Sequence, residues 1–564
     1  MKRGLHAQWS PTERNRHMQH TISDVLRTAT TDYLNSLNPA APPPPAQIEF
    51  EMLQETRTLF ENENSGKTKG DKWPLPKRLS VWQIANIIAF LYPVCCIATA
   101  EQSTDKEYDL LCMYQEDGPD KGIYVSSDDV FRKTAREYDV NLSPKEFSDC
   151  MVVLRDLVPR RSRNHDKNLI AVNNGIFDYD TKTLIPFSPD YVFMSKSRVD
   201  YNPAAKNVTI HNPTDGTDWD VESWMHTLSD DDEIIQLLWE ILGAIIRPNV
   251  PWNKSAWFYS ESGNNGKGTL CELMRQLCGE GSYASISLSD MGKDFALEPL
   301  VRTTSIIVDE NDVGTFIDKA ANLKAIITND VIQINRKFKQ PIPYRFYGFM
   351  VQCLNEMPRI KDKSDSFFRR QLFVPFEKCF TGIERKYIKT DYLHRKEVLE
   401  YVLYKILNMS YYELSVPQRC MQALEEYREF NDPVRQFAEE ILPECRWTLI
   451  PYTFLYDLYR SWFSKNAPSG SPQGKTTFTK DLINIIKDSP EFEPSEKQVK
   501  RSTKMDDPEP LIAQYNLRDW MNLRYLGAND IIRLCTTPVT TPHYRGLLRK
   551  IPWTATVKTI GDNT

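Results

Sequence analysis

Four short apolar runs between positions 250 and 376 give this chain its clearest hydrophobic pattern. They cover residues 256–259, 305–308, 349–354 and 371–376. Runs this short and nearly continuous predict buried strands of a parallel sheet rather than helices. After the first run the apolar residues recur at helical spacing, at positions Leu270, Leu273, Met274 and Leu277. The pattern therefore predicts an α/β domain in which a strand is followed by an amphipathic helix.

The pattern outside this region is weaker. Helices are expected near 128–138, 230–246, 394–415 and 418–430, and strands over 110–114 and 122–125. Residues 84–100 predict a buried helix, because Asn86 and Pro93 interrupt an apolar stretch too short to span a membrane. Residues 38–45 predict an extended proline-rich spacer, and 62–72 a flexible charged loop.

A glycine-rich turn, residues 260–269, connects the first strand to the amphipathic helix. Glycines in such a turn let backbone N–H groups approach phosphate oxygens, and Lys267 supplies a positive charge for the β and γ phosphates. The usual phosphate loop has Gly where this chain has Glu261, and Ser or Thr where it has Gly268. A glycine-rich turn that binds no phosphate is therefore the alternative. The candidate ATP-binding residues are Gly263, Asn264, Asn265, Gly266, Lys267, Gly268 and Thr269.

The second apolar run ends in two carboxylates, Asp309 and Glu310. Ligands collect at the carboxyl ends of parallel strands. We expect Asp309 to hold Mg²⁺, directly or through water, and Glu310 to orient and deprotonate an attacking water. The alternative is an ordinary strand that ends in a solvated acidic turn.

Polar residues also flank the last two runs. Asn355 directly follows 349–354, where an amide can hydrogen-bond both a γ-phosphate and the attacking water. Arg369 and Arg370 precede 371–376. One of them is expected to reach a neighbouring subunit's nucleotide and stabilise charge in the transition state, whereas surface ion pairs are the alternative role.

The order of lysine loop, acidic strand, Asn strand and arginine pair resembles the superfamily 3 helicases. More closely, it resembles the helicase module of phage, plasmid and poxvirus primase-helicases, through residues 263–269, 355–358 and 367–376. That family tolerates glycine after the lysine, so Thr269 becomes the candidate hydroxyl for the metal. The resemblance implies an AAA+-like P-loop NTPase core that uses ATP and Mg²⁺. It also implies a ring, usually a hexamer, that moves 3′→5′ on single-stranded DNA.

The same family has a motif between the acidic and Asn strands, and residues 323–339 are similar to it. Asn329 stands where members more often have glycine, and asparagine also tolerates left-handed turns. Alternation over 331–335 suggests a strand, and 336–345 combines cations with Tyr344 and Phe338. The predicted DNA contacts are Arg336, Lys337, Phe338 and Lys339. A solvated basic turn is the alternative.

Composition limits the choice of partners and compartment. The net charge of −6 argues against general coating of nucleic acid, so DNA contact is expected from local patches such as 336–345 and 160–163. Eleven cysteines include no Cys-x-x-Cys pair, which indicates neither zinc nor a disulfide framework. We expect a cytoplasmic protein, because the thiols are predicted to be reduced, residues 1–24 are polar and no membrane segment is predicted. The resemblance to phage and plasmid proteins implies the cytoplasm of a bacterial host.

Primer synthesis is a possible second activity of the chain. Asp178 and Asp180 superficially match the metal-binding pattern of polymerising primases, and His211 follows them. The two aspartates flank a short turn typical of a β-hairpin, and the resemblance places this segment in a linker domain. The hairpin is the favoured interpretation. A separate primase or replication initiator is then an expected partner, together with single-stranded and forked DNA.

At 564 residues the chain is expected to form three to four domains. We predict a polar segment with a proline-rich linker, a small α+β domain, a β-hairpin linker domain, the helicase core, a helical and winged-helix-like DNA-binding region, and a tail without an assigned role. Their predicted bounds are 1–78, 79–160, 161–229, 230–380, 381–516 and 517–564.

The predicted function is an ATP-dependent DNA helicase acting in replication of a phage, prophage or other mobile element. Two alternatives remain open at this point. One is a bifunctional primase-helicase, and the other is a non-unwinding, ATP-switched initiator or helicase loader.

Overall fold

A computed structural model describes residues 20–100, 106–317, 320–337, 339–466, 472–487, 489–525, 530–538 and 541–551. The chain divides into two compact units. The first comprises the described residues up to Asp362 together with Arg369–Met421, and the second comprises Lys363–Phe368 with the described residues from Gln422 onward. Each unit has its own hydrophobic core.

The first unit begins with helices packed on a small mixed sheet. The helices are α1 (Ile22–Ser36), α2 (Pro45–Asn64), α3 (Val81–Leu91), α4 (Asp128–Tyr138) and α5 (Pro144–Leu157). The strands are β1 (Val94–Ile97), β2 (Leu110–Tyr114), β3 (Tyr124–Val125) and β4 (Arg160–Arg161), in sheet order β3-β2-β1-β4. Capping boxes at Thr21, Ser80 and Ser143 fix the starts of α1, α3 and α5.

The strands and the helix predicted over 110–138 are confirmed, but three other expectations are corrected. The apolar stretch 84–100 is only partly helical: α3 ends at Leu91, before Pro93, and β1 continues as a buried strand. Helix α2 begins at Pro45, the last residue of the predicted proline-rich spacer, and proline is well tolerated at this first position. The helix ends at Asn64, inside the predicted charged loop 62–72. Because α1 and α2 share a core with residues 79–158, no division between cores occurs at residue 78.

A linker region of hairpins and two helices follows. Its elements are β5 (Leu169–Val172), β6 (Gly175–Asp178), β7 (Thr183–Ile185), β8 (Ile210–His211), β9 (Asp218–Trp219), α6 (Val221–His226) and α7 (Asp232–Ile246). Asp178 Oδ1 accepts hydrogen bonds from the backbone N–H of Asp180 (2.9 Å) and Thr181 (3.3 Å) and so closes the β6–β7 turn. The hairpin interpretation is therefore confirmed. No cluster of three or more potential His, Cys, Asp or Glu metal ligands occurs among the described residues.

A parallel sheet forms the centre of the first unit. The elements of this region are β10 (Ser255–Tyr259), α8 (Lys267–Cys278), β11 (Tyr283–Ala284), β12 (Ser305–Val308), β13 (Phe316–Ile317), α9 (Ala321–Ile327), β14 (Val331–Arg336), β15 (Lys339–Arg345), β16 (Phe349–Leu354), β17 (Arg359–Ile360), α10 (Asp365–Phe368, in the second unit) and β18 (Gln371–Pro375). The sheet order is β11-β12-β16-β10-β18, and all of its neighbouring strands run parallel. All four predicted buried strands are confirmed.

Helices complete the first unit. They are α11 (Lys386–Thr390), α12 (Lys396–Asn408) and α13 (Gln418–Phe430), and α13 continues into the second unit. The apolar faces of α7, α8 and α12 share one core with β10, β16 and β18. The amphipathic pattern of α8 is confirmed, because Leu270, Leu273, Met274 and Leu277 are all fully buried.

The second unit contains a small sheet covered by helices. Its elements after α13 are α14 (Pro433–Ile441), β19 (Leu449–Pro451), α15 (Tyr452–Asn466), α16 (Lys475–Ile486), β20 (Phe492–Pro494), β21 (Val499–Lys500), α17 (Leu511–Gln514), α18 (Ile531–Leu534), β22 (His543–Tyr544) and β23 (Gly546–Arg549). Strand β23 lies between β19 and β20, so the predicted tail supplies the middle strand of this sheet.

Short 3-10 helices join several of these elements. They are Lys106–Tyr108, Glu298–Val301, Tyr392–His394, Leu442–Glu444, Arg518–Trp520 and Leu523–Tyr525. In the part of the chain that the structure describes, every helix is too short or too polar to cross a bilayer.

Candidate functional site

A pocket of about 1290 Å³ opens beside the glycine-rich loop at the carboxyl edge of the parallel sheet. Three parts of the first unit line it. The loop and the strand ends contribute Gly263, Asn264, Asn265, Gly266, Lys267, Gly268, Thr269, Asp309, Glu310 and Asn355. The linker region contributes residues between 218 and 227, and the segment after β18 contributes residues between 380 and 390. The structure thus brings every predicted ATP-binding residue to one pocket.

The loop takes a conformation that its residue types permit. Gly266 has φ +88° and Asn264 has φ +55°, both in the left-handed region that glycine and asparagine tolerate best. A Cβ atom on Gly266 would lie 2.6 Å from Leu228 Cδ2, so this position also lacks room for a side chain. Gly266 directly precedes α8, and the residues from Gly266 to Thr269 place the start of this helix at the pocket wall.

Lys267 lies at the centre of the site, although only 4% of its surface is exposed. Its Nζ donates to Asn355 Oδ1 at 2.8 Å, to the Leu354 carbonyl at 2.9 Å and to the Ser260 carbonyl at 3.3 Å. Burial lowers the pKa of this lysine. No ion pair within 4 Å joins this ammonium to a carboxylate of the described residues, and its three hydrogen bonds go to uncharged oxygen atoms.

The acidic pair at the end of β12 has two different environments. Asp309 is bound by Arg275 of α8, with Nη2 2.8 Å from Oδ1 and Nη1 3.2 Å from Oδ2. The hydrogen bond from Arg275 holds the pKa of Asp309 below its usual value. Glu310 is exposed in the pocket, and no hydrogen bond or ion pair reaches its carboxylate from the described residues. Arg275 was not predicted, because a single arginine on a helix carries no sequence signal of its partner.

A buried amide fixes the loop after the acidic pair. Asn311 Nδ2 donates to Gln352 Oε1 at 2.9 Å and to the Cys353 carbonyl at 3.0 Å, and its Oδ1 accepts from the Leu288 backbone at 2.9 Å. These bonds tie the end of β12 to β16 just before Asn355. Sequence reasoning missed Asn311 as well, since only the pairing of β12 with β16 brings it beside Gln352.

The donors in the pocket fit a magnesium ion carried with a polyphosphate. The Thr269 hydroxyl and the carboxylates of Asp309 and Glu310 line the same space, and oxygen atoms are the ligands that Mg²⁺ prefers. Because the described residues contain no cluster of three potential ligands, phosphate oxygens would have to complete the coordination.

The predicted arginine pair lies elsewhere. Arg369 and Arg370 precede β18, whose opposite end pairs with Tyr259, the last residue of β10 before the glycine-rich loop. The Arg370 carbonyl accepts from the Ser255 backbone at 2.9 Å, and the Arg369 carbonyl accepts from Lys254 Nζ at 2.6 Å. Both arginines therefore start at the amino edge of the sheet and do not line the pocket of their own chain.

The basic segment forms the predicted hairpin. Strands β14 and β15 pair antiparallel, with Arg336 opposite Lys339, and Asn329 before them takes the expected left-handed conformation with φ +54°. Lys337 and Lys339 are exposed at the tip, and Lys339 Nζ lies 3.7 Å from Asp128. Arg336 donates to the Gln340 carbonyl at 3.0 and 3.1 Å. The fourth predicted contact, Phe338, lies outside the described residues.

Tyr344, predicted as a second ring for base stacking, is not available for that role. Only 1% of its surface is exposed, and the Arg163 guanidinium covers its ring at 5.0 Å from the centroid. The tyrosine thus belongs to the core beneath the hairpin.

The basic run 160–163 is also corrected. Arg160 forms an ion pair with the buried Asp109, with Nε 2.6 Å from Oδ2. Arg161 donates to the Pro189 and Asp190 carbonyls, each at 2.6 Å, and Arg163 donates to the Val301 carbonyl at 3.1 Å. Because these guanidinium groups join parts of the first unit to each other, the run gives no support for a DNA contact.

The fold and the pocket define an α/β protein with a glycine-loop pocket at the carboxyl edge of a parallel sheet. Three family models match parts of the chain: "D5 N terminal like" over residues 105–230, "Family of unknown function (DUF5906)" over 258–370, and "Poxvirus D5 protein-like" over 429–520. The two D5 models support a protein of the phage and poxvirus primase-helicase type, a class associated with DNA replication.

Solved structures of the NrS-1 C-terminal region are similar to this chain at low identity. One A-form apo structure is 14% identical and covers 76% of this chain and 98% of its own, with a TM-score of 0.38. Another, spanning 305–718 of NrS-1, is 13% identical and covers 83% of this chain and 100% of its own, with a TM-score of 0.40. Scores of this size do not establish a common fold.

Proposed function

We propose that the pocket binds and hydrolyses ATP with Mg²⁺, and that hydrolysis drives DNA unwinding during replication. The contact of 2.8 Å between Lys267 Nζ and Asn355 Oδ1 is the observation that carries this proposal. It joins the lysine of the glycine-rich loop to the amide at the end of the neighbouring strand β16. A γ-phosphate bound between these two groups would be contacted by a cation on one side and an amide on the other.

The proposed reaction uses groups that already face the pocket. Backbone N–H groups of the loop and the Lys267 ammonium bind the phosphates, and Lys267 exchanges its contacts with carbonyl oxygens for phosphate oxygens. Bound Mg²⁺ would neutralise phosphate charge, with Thr269 and Asp309 as its protein-side oxygens. Glu310 takes a proton from the attacking water, and Asn355 orients that water.

The motor part of the proposal is a homo-oligomeric ring, usually a hexamer, that moves 3′→5′ on single-stranded DNA in the host cytoplasm. Arg370 or Arg369 would complete the site of a neighbouring subunit, which is supported by their position away from their own pocket. The exposed cations at the tip of the β14–β15 hairpin would contact the DNA backbone. The second unit would contribute a winged-helix-like DNA-binding region, which is supported by α15 and α16 beside the β19-β23-β20 sheet.

Strand displacement on forked DNA tests this proposal. We expect the native chain to unwind the fork with ATP and Mg²⁺, and Lys267→Ala to abolish unwinding because the phosphates lose their central cation. Thermal unfolding of the variant checks that it folds. A fork with a single 3′ or 5′ tail gives the polarity.

Two outcomes would contradict parts of the proposal. ATP hydrolysis without displacement would favour an ATP-switched initiator or helicase loader. Template-directed nucleotide incorporation that disappears in Asp178→Ala would instead favour a bifunctional primase-helicase.

A further inference from the structure

A second lysine reaches the glycine-rich loop from outside the recognised motifs. Gly268 stands where the usual phosphate loop has a Ser or Thr hydroxyl. A Cβ atom built on Gly268 would lie 3.6 Å from Lys389 Nζ. An ammonium group therefore lies beside the space that a hydroxyl would occupy. Lys389 also lines the pocket together with Lys267, Glu310 and the other motif residues.

Lys389 is held in this place by contacts on both sides of α11. On the loop side, the Phe380 backbone donates to the Asn264 carbonyl at 2.8 Å, and Asn264 Nδ2 donates to Glu384 Oε1 at 3.1 Å. On the linker side, the Tyr387 hydroxyl donates to Asp215 Oδ2 at 2.6 Å. These bonds hold the backbone of segment 380–390 beside the loop, so the fold brings the Lys389 side chain to the pocket.

Lys389 forms no ion pair within 4 Å in the described part of the chain. Its charge helps to lower the pKa of Asp309, but that carboxylate is bound by Arg275. Two lysines, Lys267 and Lys389, therefore line one pocket. A ligand with several closely spaced negative charges fits this arrangement better than a ligand with one.

We propose that Lys389 is a second phosphate-binding lysine of this pocket, contacting β- or γ-phosphate oxygens of a nucleoside triphosphate from the same chain as Lys267. The inference rests on the proposed function and adds to it a residue that selects for the length of the phosphate chain. Lys389 then contributes little to the binding of a nucleoside monophosphate, which lacks the β- and γ-phosphates that Lys389 contacts in this proposal.

Binding of labelled nucleotides to the full chain tests this role without relying on turnover. The probes are a non-hydrolysable ATP analogue and AMP, each measured by fluorescence anisotropy with Mg²⁺ and in EDTA. We expect Lys389→Met to weaken binding of the ATP analogue roughly tenfold, as for loss of one charged hydrogen bond, and binding of AMP less than about twofold. Lys389→Arg should restore most of the affinity, since it keeps the charge.

A matched control is Lys396→Met on α12, an exposed lysine that contacts Asp200 and Glu400 outside the pocket. Its affinities should equal those of the native chain. The inference about Lys389 would be overturned if Lys389→Met bound the ATP analogue as tightly as the native chain, or if its affinity for AMP fell by the same factor. Neither result would contradict the proposed function. If the native chain bound no ATP analogue at all, or if Lys267→Ala bound it normally, the proposed function would fail as well.

Discussion

At the scale of single residues, several ionisable side chains are buried in different surroundings. The ammonium of Lys267 is surrounded by oxygen atoms. Arg247, with 1% of its surface exposed, has its guanidinium carbon 3.6 Å from the centroid of the Tyr179 ring. The carboxylate of Glu509 in the second unit is fully buried and accepts from the backbone of Arg446 at 2.7 Å. Burial raises the pKa of Glu509 to about 7, so this carboxyl group titrates near neutral pH.

Glu509 should make the second unit more stable in mild acid than in mild base. Burial raises its pKa from 4.5 to about 7, so the folded state binds a proton that the unfolded state has already lost. The stability contributed by this proton is fully present below pH 4.5 and is lost as the pH rises through 7. We expect the free energy of unfolding to fall by up to roughly 3 kcal/mol between pH 5 and pH 8. Denaturant unfolding followed by Trp fluorescence would measure it.

The control for this prediction is Glu509→Gln, which keeps the shape of the side chain and removes the titrating group. Its unfolding free energy should depend less on pH over the same range. An equally steep pH dependence in native chain and variant would assign the effect to other groups.

Residue chemistry explains which parts of the site the sequence could predict. Lys267, Asp309, Glu310 and Asn355 follow buried strands or sit in a glycine-rich turn, and the parallel sheet brings such ends together. Lys389 could not be predicted, because its distance along the chain from the loop has no fixed relation to its distance in space. The roles of all these residues remain predictions that the experiments above address.

At the scale of elements, the β14–β15 hairpin allows the proposed ATP hydrolysis and DNA unwinding to be tested separately. Its tip carries Lys337 and Lys339, both exposed, and neither residue lines the nucleotide pocket. We expect Lys337→Ala to retain most of the ATPase rate in the absence of DNA and to reduce fork unwinding at least about tenfold, because a phosphate contact is lost from the moving strand. Paired ATPase and displacement assays would measure both.

Gln340→Ala is the matched control, since Gln340 is exposed on the same hairpin and carries no charge. It should leave unwinding close to that of the native chain. Unchanged unwinding by Lys337→Ala would remove this hairpin from the proposed mechanism.

The elements that were not predicted from the sequence, α2 and β23, have hydrophobic patterns too weak to identify a helix or a strand from neighbouring residues alone. In α2 the buried positions Ile48, Met52, Thr56 and Phe60 recur every fourth residue, one of them polar, so the apolar stripe is narrow. Strand β23 has only Gly546–Arg549, and its partners β19 and β20 lie far away in sequence. The strands of the central sheet were predictable because burial on both faces makes each one a continuous apolar run.

At the scale of the whole molecule, the proposed ring requires each site to be shared between two subunits. We expect Lys267→Ala and Arg370→Ala chains to be inactive separately and partly active when mixed before assembly. In a random mixture about a quarter of the interfaces would pair an intact lysine with an intact arginine, giving roughly a quarter of the native ATPase rate. Mixing with Arg369→Ala in the same way identifies which arginine acts across the interface.

The control mixture combines Lys267→Ala with Asn355→Ala, whose side chains contact each other within one chain. This pair should regain no activity at any ratio. Equal recovery in both mixtures, or none in either, would argue against an arginine supplied by the neighbouring subunit.

The position of β23 also has a consequence for synthesis of the protein. The central sheet of the first unit has all of its strands once Pro375 has emerged from the ribosome, whereas the sheet of the second unit lacks its middle strand until Arg549 has emerged. After Pro494 has emerged and before Arg549 follows, the nascent second unit holds β19 and β20 without the strand that joins them. We therefore expect the central sheet of the first unit to form before the sheet of the second unit. In the second unit, the apolar faces of α14 to α16 would wait for β23, and a chaperone would have to protect them during that time.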